Sequence, residues 1–221
     1  TLLLTCIITV LVLYGTIWGF SHYKISNVEF IHASIPREFD GFTIVHISDT
    51  HLGTFGNIEQ VKKGVDIIQQ QKPDIIVFTG DMVNNLSDEA IPYIPLFAEL
   101  KAPYGKYAVL GNHDYAHYAG NLSEIEQEKD VVKLRQLIEQ MGFKILENSH
   151  SQITKNLESI VLAGVKNWGL PPFPQYGNIS EALRSADSNL FTILLSHDPS
   201  HWRQKVVSHE RNIALTLSGH T

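Results

Sequence analysis

Asp49 and His51 stand two residues apart, immediately after the apolar run 43–47. A carboxylate and an imidazole at that spacing, in the loop past a buried strand, can both turn towards one metal ion. In layered α/β folds, ligands collect at the carboxyl ends of strands. The arrangement recurs along the chain. The run 75–78 ends in Thr79-Gly80-Asp81, and 107–110 ends in Gly111-Asn112-His113-Asp114. The run 191–195 ends in Ser196-His197-Asp198-Pro199, and 213–217 ends in Ser218-Gly219-His220-Thr221. Any one of these is an ordinary strand-end turn, where Asp is common. Repeated after five apolar runs, the pattern brings Asp, Asn and His to one edge of a sheet.

The elements needed to position these residues can be read between them. Asn57 is a candidate N-cap for a helix to about Gln71, with Ile58, Val61, Val65 and Ile68 on one face and Pro73 beyond its end. A second helix is expected over 88–100, short or kinked because Pro92 and Pro95 interrupt it. Ser123 and Glu126 form a capping-box pattern at the start of a helix that runs to about Met141, closed by Gly142. Short strands are expected near 143–146, and a hairpin from 152–154 to 160–165. The stretch 168–174 is irregular by composition, and 180–185 suits a helical turn. Strands alternating with helices imply an α/β layered sandwich.

Taken in order, Asp49-x-His51, Gly80-Asp81, Gly111-Asn112-His113-Asp114, His197 and Gly219-His220-Thr221 resemble the motifs of the calcineurin-like metallophosphoesterases. The likeness extends from Thr43 to the last residue. It implies two mixed β-sheets flanked by helices, with metals at one edge. By the same resemblance Asp49 and His51 bind one divalent ion, Asn112, His197 and His220 bind a second, and Asp81 bridges them. Mixed nitrogen and oxygen donors point to manganese, iron or zinc rather than magnesium or calcium. Such a pair of ions supplies a hydroxide for attack on phosphorus and neutralises the phosphate. His113 would protonate the leaving group, with Asp114 holding its other nitrogen. A structural turn role for Asp114 stands beside that reading.

The serine/threonine protein phosphatases of this family carry an Arg shortly after Gly-Asp, whereas Met82-Val83-Asn84-Asn85 follow here. The layout resembles instead the bacterial membrane-associated members, which implies phosphodiester or pyrophosphate hydrolysis on a substrate that can be lipid-linked. Two rival readings are a non-catalytic binding member of the fold and a nuclease. No motif residue between Asp49 and His220 is missing, which disfavours the first. A net charge of −6 and the lack of a basic stripe disfavour the second, and nucleic acid in general as a partner. Among the other histidines, His46 lies within a strand and is expected to pack there. His117 suits either the substrate cleft or a surface loop. Trp168 and Phe173 suit either a substrate wall or loop packing.

The N-terminus carries a separate signal. No charged residue occurs from Leu2 to Phe20, and about nineteen residues at ~1.5 Å rise span close to the ~30 Å of a hydrocarbon core. Tyr14, Trp18 and Tyr23 gather towards its end, with Lys24 after them. A transmembrane helix over 2–20 is expected, followed by a linker and leading strand over 21–41 (the strand near 26–34) and the metallophosphoesterase domain over 42–221. This corresponds to a protein of the bacterial cytoplasmic membrane. The competing reading, a cleaved signal peptide, would have a shorter apolar region and a small-x-small site, and none follows Phe20 cleanly. The single cysteine, Cys6, excludes an intrachain disulfide. The chain opens on Thr1 and stops at Thr221, where the family reads Gly-His-x-His. Upstream residues and a further C-terminal histidine for the first metal are therefore expected outside this sequence.

Overall fold

A computed structural model describes residues 2–17 and 22–220. The chain divides into an N-terminal unit to His32 and a main unit from Ala33. In the main unit, strands β1 (Ile44–Ile47), β2 (Ile75–Phe78), β3 (Lys106–Ala108) and β4 (Lys144–Ile145) form one sheet in the order β1-β2-β3-β4, parallel throughout. A second sheet has the order β5 (Ser149–Lys155), β6 (Glu158–Gly164), β7 (Phe191–Leu195), β8 (Leu215–Leu217). There, β5 and β6 are an antiparallel hairpin and the remaining pairs are parallel.

Two mixed sheets were expected, but only the second is mixed. The reason lies in the connections. Between successive strands of the first sheet the chain passes through helices that return it to the starting end, which makes each pair parallel. The tight turn between β5 and β6 gives the antiparallel pair.

The helices form for local reasons. Asn57 caps α2 (Ile58–Gln70) by accepting the Glu59 N–H at 2.9 Å, and Val61 and Val65, one turn apart, are buried. The predicted helix over 88–100 is split at its prolines into a 3-10 turn, Ser87–Tyr93, and α3, Ile94–Glu99. A Ser123–Glu126 capping box opens α4 (Glu124–Gln140), which buries Val131, Leu134, Leu137 and Ile138 at three- and four-residue spacing. A single turn, α5 (Ile179–Ala182), precedes β7.

Side-chain alternation along the strands sets the layers. Ile76 and Phe78 of β2 point into a core with Val61, Val65, Phe97, Leu134 and Ile138 of the helices. Ile75 and Val77 point the other way, against Ile153, Ile160, Leu162, Ile193 and Leu195 of the second sheet. The far face of that sheet, through Val161, Ala163 and Leu194, packs on Ile179, Ala182, Leu183 and Val206. The order is thus helices, sheet, sheet, helices. Phe78 is 1% exposed, and truncating a core Phe to Ala typically costs ~3–5 kcal/mol. Strands β1, β2, β3, β7 and β8 deliver the loops that carry the motif residues.

In the N-terminal unit, α1 spans Leu2–Ile17, 16 residues or about 24 Å. The predicted transmembrane helix ran to Phe20; residues 18–20 lie outside those described. Among the described residues no helix is long and apolar enough to cross a membrane. The strand expected near 26–34 does not form. Val28 and Ile31 in that stretch are 85% and 82% exposed, so its apolar side chains are not packed as those of a sheet would be.

Candidate metal centre

Four of the motif residues sit in an unusual backbone conformation. Asp49 (φ 52°), His51 (φ 43°), Asp81 (φ 58°) and His220 (φ 60°) are all left-handed, a region most non-glycine residues avoid. Such a position costs on the order of 1–3 kcal/mol and persists where the surroundings over-determine it. The turn aims each side chain back over the strand ends. Gly80 and Gly111 let two of these loops touch. A Cβ on Gly80 would strike the Gly111 backbone nitrogen, and one on Gly111 would strike the Asp81 carboxylate.

Asp114 ties the same two loops together. Its buried carboxylate accepts the backbone N–H groups of Asp81 (2.8 Å), Met82 (2.8 Å), Val83 (3.3 Å) and Gly111 (2.9 Å). Burial and the neighbouring Asp81 charge push its carboxyl up to about 7, while the amides oppose that shift. The expected contact between Asp114 and the His113 ring is replaced. His113 Nδ1 lies 2.7 Å from the backbone carbonyl of Asn84, which can only accept, so Nδ1 carries the proton. Asp114 is spent on amides because it faces inward, beneath the loops.

One group of donors is buried. The His197 ring is fully enclosed, and its Nδ1 donates to the Thr79 carbonyl at 2.7 Å. That leaves Nε2 facing Asp81 Oδ2 at 3.2 Å, Asn112 Oδ1 at 3.1 Å and His220 Nδ1 at 3.2 Å. Four atoms with lone pairs thus converge. One proton at Nε2 can be shared with a single neighbour at a time, whereas a divalent cation satisfies all four at once. The donor set fits a metal. Burial works against charge on both partners of the Asp81–His197 pair. Their mutual hydrogen bond and charge attraction, joined by the His113 and Thr79 backbone contacts, together outweigh it, holding the Asp81 carboxyl below its ordinary value and raising the His197 imidazole.

A second group is more open. Ligand atoms of His51, Asp81 and His113 all lie within 4.8 Å of one another, as do those of Asp81, His197 and His220. Asp81 belongs to both. Its Oδ1 accepts the His113 N–H at 2.9 Å, and its Oδ2 stands 3.8 Å from His51 Nε2. The rings of His51 and His113 meet edge to face, with centroids 4.7 Å apart.

Asp49 stands outside both groups. Both of its carboxylate oxygens accept the His220 N–H, at 3.1 and 3.0 Å, which joins the first motif to the last. His46 pairs with the Thr79 hydroxyl at 2.7 Å, so it holds the β2 loop. His117 is turned to Gln127 of α4, and this favours the surface reading. Trp168 is buried against His201, whereas Phe173 stands edge-on to His220, with centroids 4.8 Å apart. Two contributors escaped sequence reading. Asn84 acts through a main-chain carbonyl, which any residue could supply. Tyr118 stacks on His113, and only the fold brings the two rings together.

The sequence pattern of the Calcineurin-like phosphoesterase family matches residues 42–221. The chain belongs to that family. Among similar proteins, an uncharacterized metallophosphoesterase of Bacillus subtilis, YkuE, is 33% identical over 85% of this chain and 60% of its own length. One from Aquifex aeolicus is 33% identical over 80% of the chain and 62% of its own length. A transmembrane protein with metallophosphoesterase domain from Danio rerio is 27% identical over 100% of the chain and 49% of its own length. The chain therefore spans about half to three-fifths of the length of these three relatives. Two solved structures share the metallophosphoesterase fold at low identity. The NAD nucleotidase of Haemophilus influenzae has a TM-score of 0.54 at 17% identity, covering 81% of this chain and 38% of its own. The phosphopantetheinyl hydrolase of Mycobacterium tuberculosis has a TM-score of 0.52 at 15% identity, covering 80% and 82%.

Proposed function

We propose that this metallophosphoesterase is a dinuclear-metal hydrolase of phosphodiesters or pyrophosphates, working at a membrane surface on a substrate with a lipid-linked phosphate. The observation that carries the reading is the placement of Asp81 Oδ2 between His51 and His197. A carboxylate set between two imidazole groups is what a bridging ligand requires. Asp81, Asn112, His197 and His220 would hold one ion; Asp81 and His51 would hold the other, with Asp49 joining them on the strength of the family resemblance. When bound, the ions supply positive charge for the phosphoryl oxygens and make water acidic enough to act as nucleophile near neutral pH.

The protein groups then do the following. Asp114 and the glycine contact fix the spacing of the Asp81 and Asn112 loops. The Asn84 carbonyl fixes His113 Nδ1 as a donor, so the proton to be transferred resides on Nε2 of the imidazolium. Passing that proton to the departing oxygen leaves a neutral ring and a neutral alcohol. The membrane part of the reading is supported by α1, which bears no acidic or basic residue in its first or last turn and whose Leu2, Leu3, Val10 and Leu11 are exposed.

Hydrolysis of bis(nitrophenyl) phosphate is expected to vanish on chelation and to return with manganese. Turnover that survives rigorous demetallation would contradict the metal mechanism. Washing membranes with alkaline carbonate should leave the protein in the pellet, and its release would remove the anchor.

A further inference from the structure

Tyr118 makes two contacts with residues of the metal centre. Its hydroxyl accepts a hydrogen bond from Asn112 Nδ2 at 3.0 Å. Its ring lies against His113, with centroids 4.3 Å apart and planes inclined by 24°. The side chain is 46% exposed, so burial in a core does not explain its placement. The chain reaches it through a turn at Ala116, which is left-handed (φ 58°) and buried.

The hydroxyl contact has a direct consequence for Asn112. A primary amide presents an oxygen on one side and an NH2 group on the other. Holding the NH2 against Tyr118 turns the oxygen towards His197 Nε2, where it stands at 3.1 Å. Without that tether, the amide can rotate and present N–H groups to a cation. The ring contact has a different consequence. His113 has one side fixed by the Asn84 carbonyl and an edge-on neighbour in His51, and Tyr118 covers a face of the imidazole. That limits the swing of Nε2.

We infer that Tyr118 is a positioning residue with two separable tasks, orienting the ligand Asn112 through its hydroxyl and the proton donor His113 through its ring. The inference rests on the metal-hydrolase reading above, in which Asn112 ligates and His113 donates. Because hydroxyl and ring can be removed separately, the tasks can be told apart.

The experiment compares the whole protein with Tyr118→Phe and Tyr118→Leu, by calorimetric titration of metal-free protein with manganese alone. At saturating manganese it then compares rates on a nitrophenyl and an alkyl phosphodiester. Tyr118→Phe should weaken manganese binding by ~10–100-fold, as loss of a group that orients a ligand does, and leave the ratio of the two rates unchanged. Tyr118→Leu should show the same weakening and also lose on the order of 10²-fold on the alkyl ester relative to the nitrophenyl ester, because a misplaced acid matters most where the leaving group needs a proton. Manganese affinity of wild-type strength in Tyr118→Phe would overturn the tether. An unchanged rate ratio in Tyr118→Leu would overturn the role of the ring. Failure of the unmutated protein to take up manganese would instead overturn the metal reading, and this inference with it.

Discussion

The two ligand groups share Asp81 and differ in almost everything else. In the buried group, His197 is 0% exposed, both ring nitrogens are engaged, and three donors stand within 3.2 Å of Nε2. In the open group, the His51 side chain is 30% exposed and its Nε2 is 3.8 Å from Asp81. In the first arrangement the candidate ligand atoms stand in mutual contact. In the second they stand farther apart, and it is the one that includes His113. On the proposed reading, compactness and access fall on opposite sides of one carboxylate: the buried side would anchor an ion, and the open side would admit substrate.

The largest break in that contrast should come from removing what the sides share. Asp81→Ala is expected to abolish metal uptake at both groups and to reduce hydrolysis by more than the ~10²–10⁴ that a general acid contributes. Metal counting by mass spectrometry alongside the assay checks this. His113→Ala acts on the open side alone. It should lose ~10²–10⁴ on an alkyl ester and less on a nitrophenyl ester, with metal content unchanged. Equal loss of metal in the two variants would mean that His113 is a ligand rather than the acid.

A smaller effect should sharpen the buried side. His201 lies 1% exposed behind it, with Nδ1 2.8 Å from the hydroxyl of Ser196, the residue before His197. Burial lowers its pKa to about 4, although Asp198 opposes the shift. A histidine kept neutral in the fold adds stability that is fully present above its ordinary value of 6.5 and is lost as pH falls from there towards 4. Over that window the loss is about 3 kcal/mol. Urea melts of the metal-free protein at pH 7 and pH 4.5 should differ in this sense, and His201→Gln should flatten the difference.

Much of the centre was legible because strand-end motifs advertise themselves through side-chain type. Asp49, His51, Asp81, Asn112, His197 and His220 stand out by type and position, their ligand roles resting on the family resemblance, and the structure gathers all of them but Asp49 around Asp81; the caps at Asn57 and Ser123 locate two helices. What stayed hidden works through atoms the sequence does not label. The Asn84 carbonyl is main chain, and the turn of Asp114 away from His113 follows from four amides converging beneath it. Tyr118 reaches His113 only because the chain doubles back at Ala116. The parallel character of the first sheet depends on connections rather than on strand composition. The segment 26–34 had residues suited to a strand and does not adopt one. At α1 the apolar run is plain, and residues 18–20 at its end lie outside those described.

The contrast between an anchoring and an admitting side is tested most directly by titrating metal-free protein with manganese and following the heat of each step, in the unmutated chain, His197→Ala and His51→Ala. The expected result is two unequal affinities in the unmutated protein. His197→Ala should lose the tighter step, and His51→Ala should keep it within a few-fold while losing the weaker one. The opposite assignment, with the tighter step vanishing in His51→Ala and surviving in His197→Ala, would contradict it.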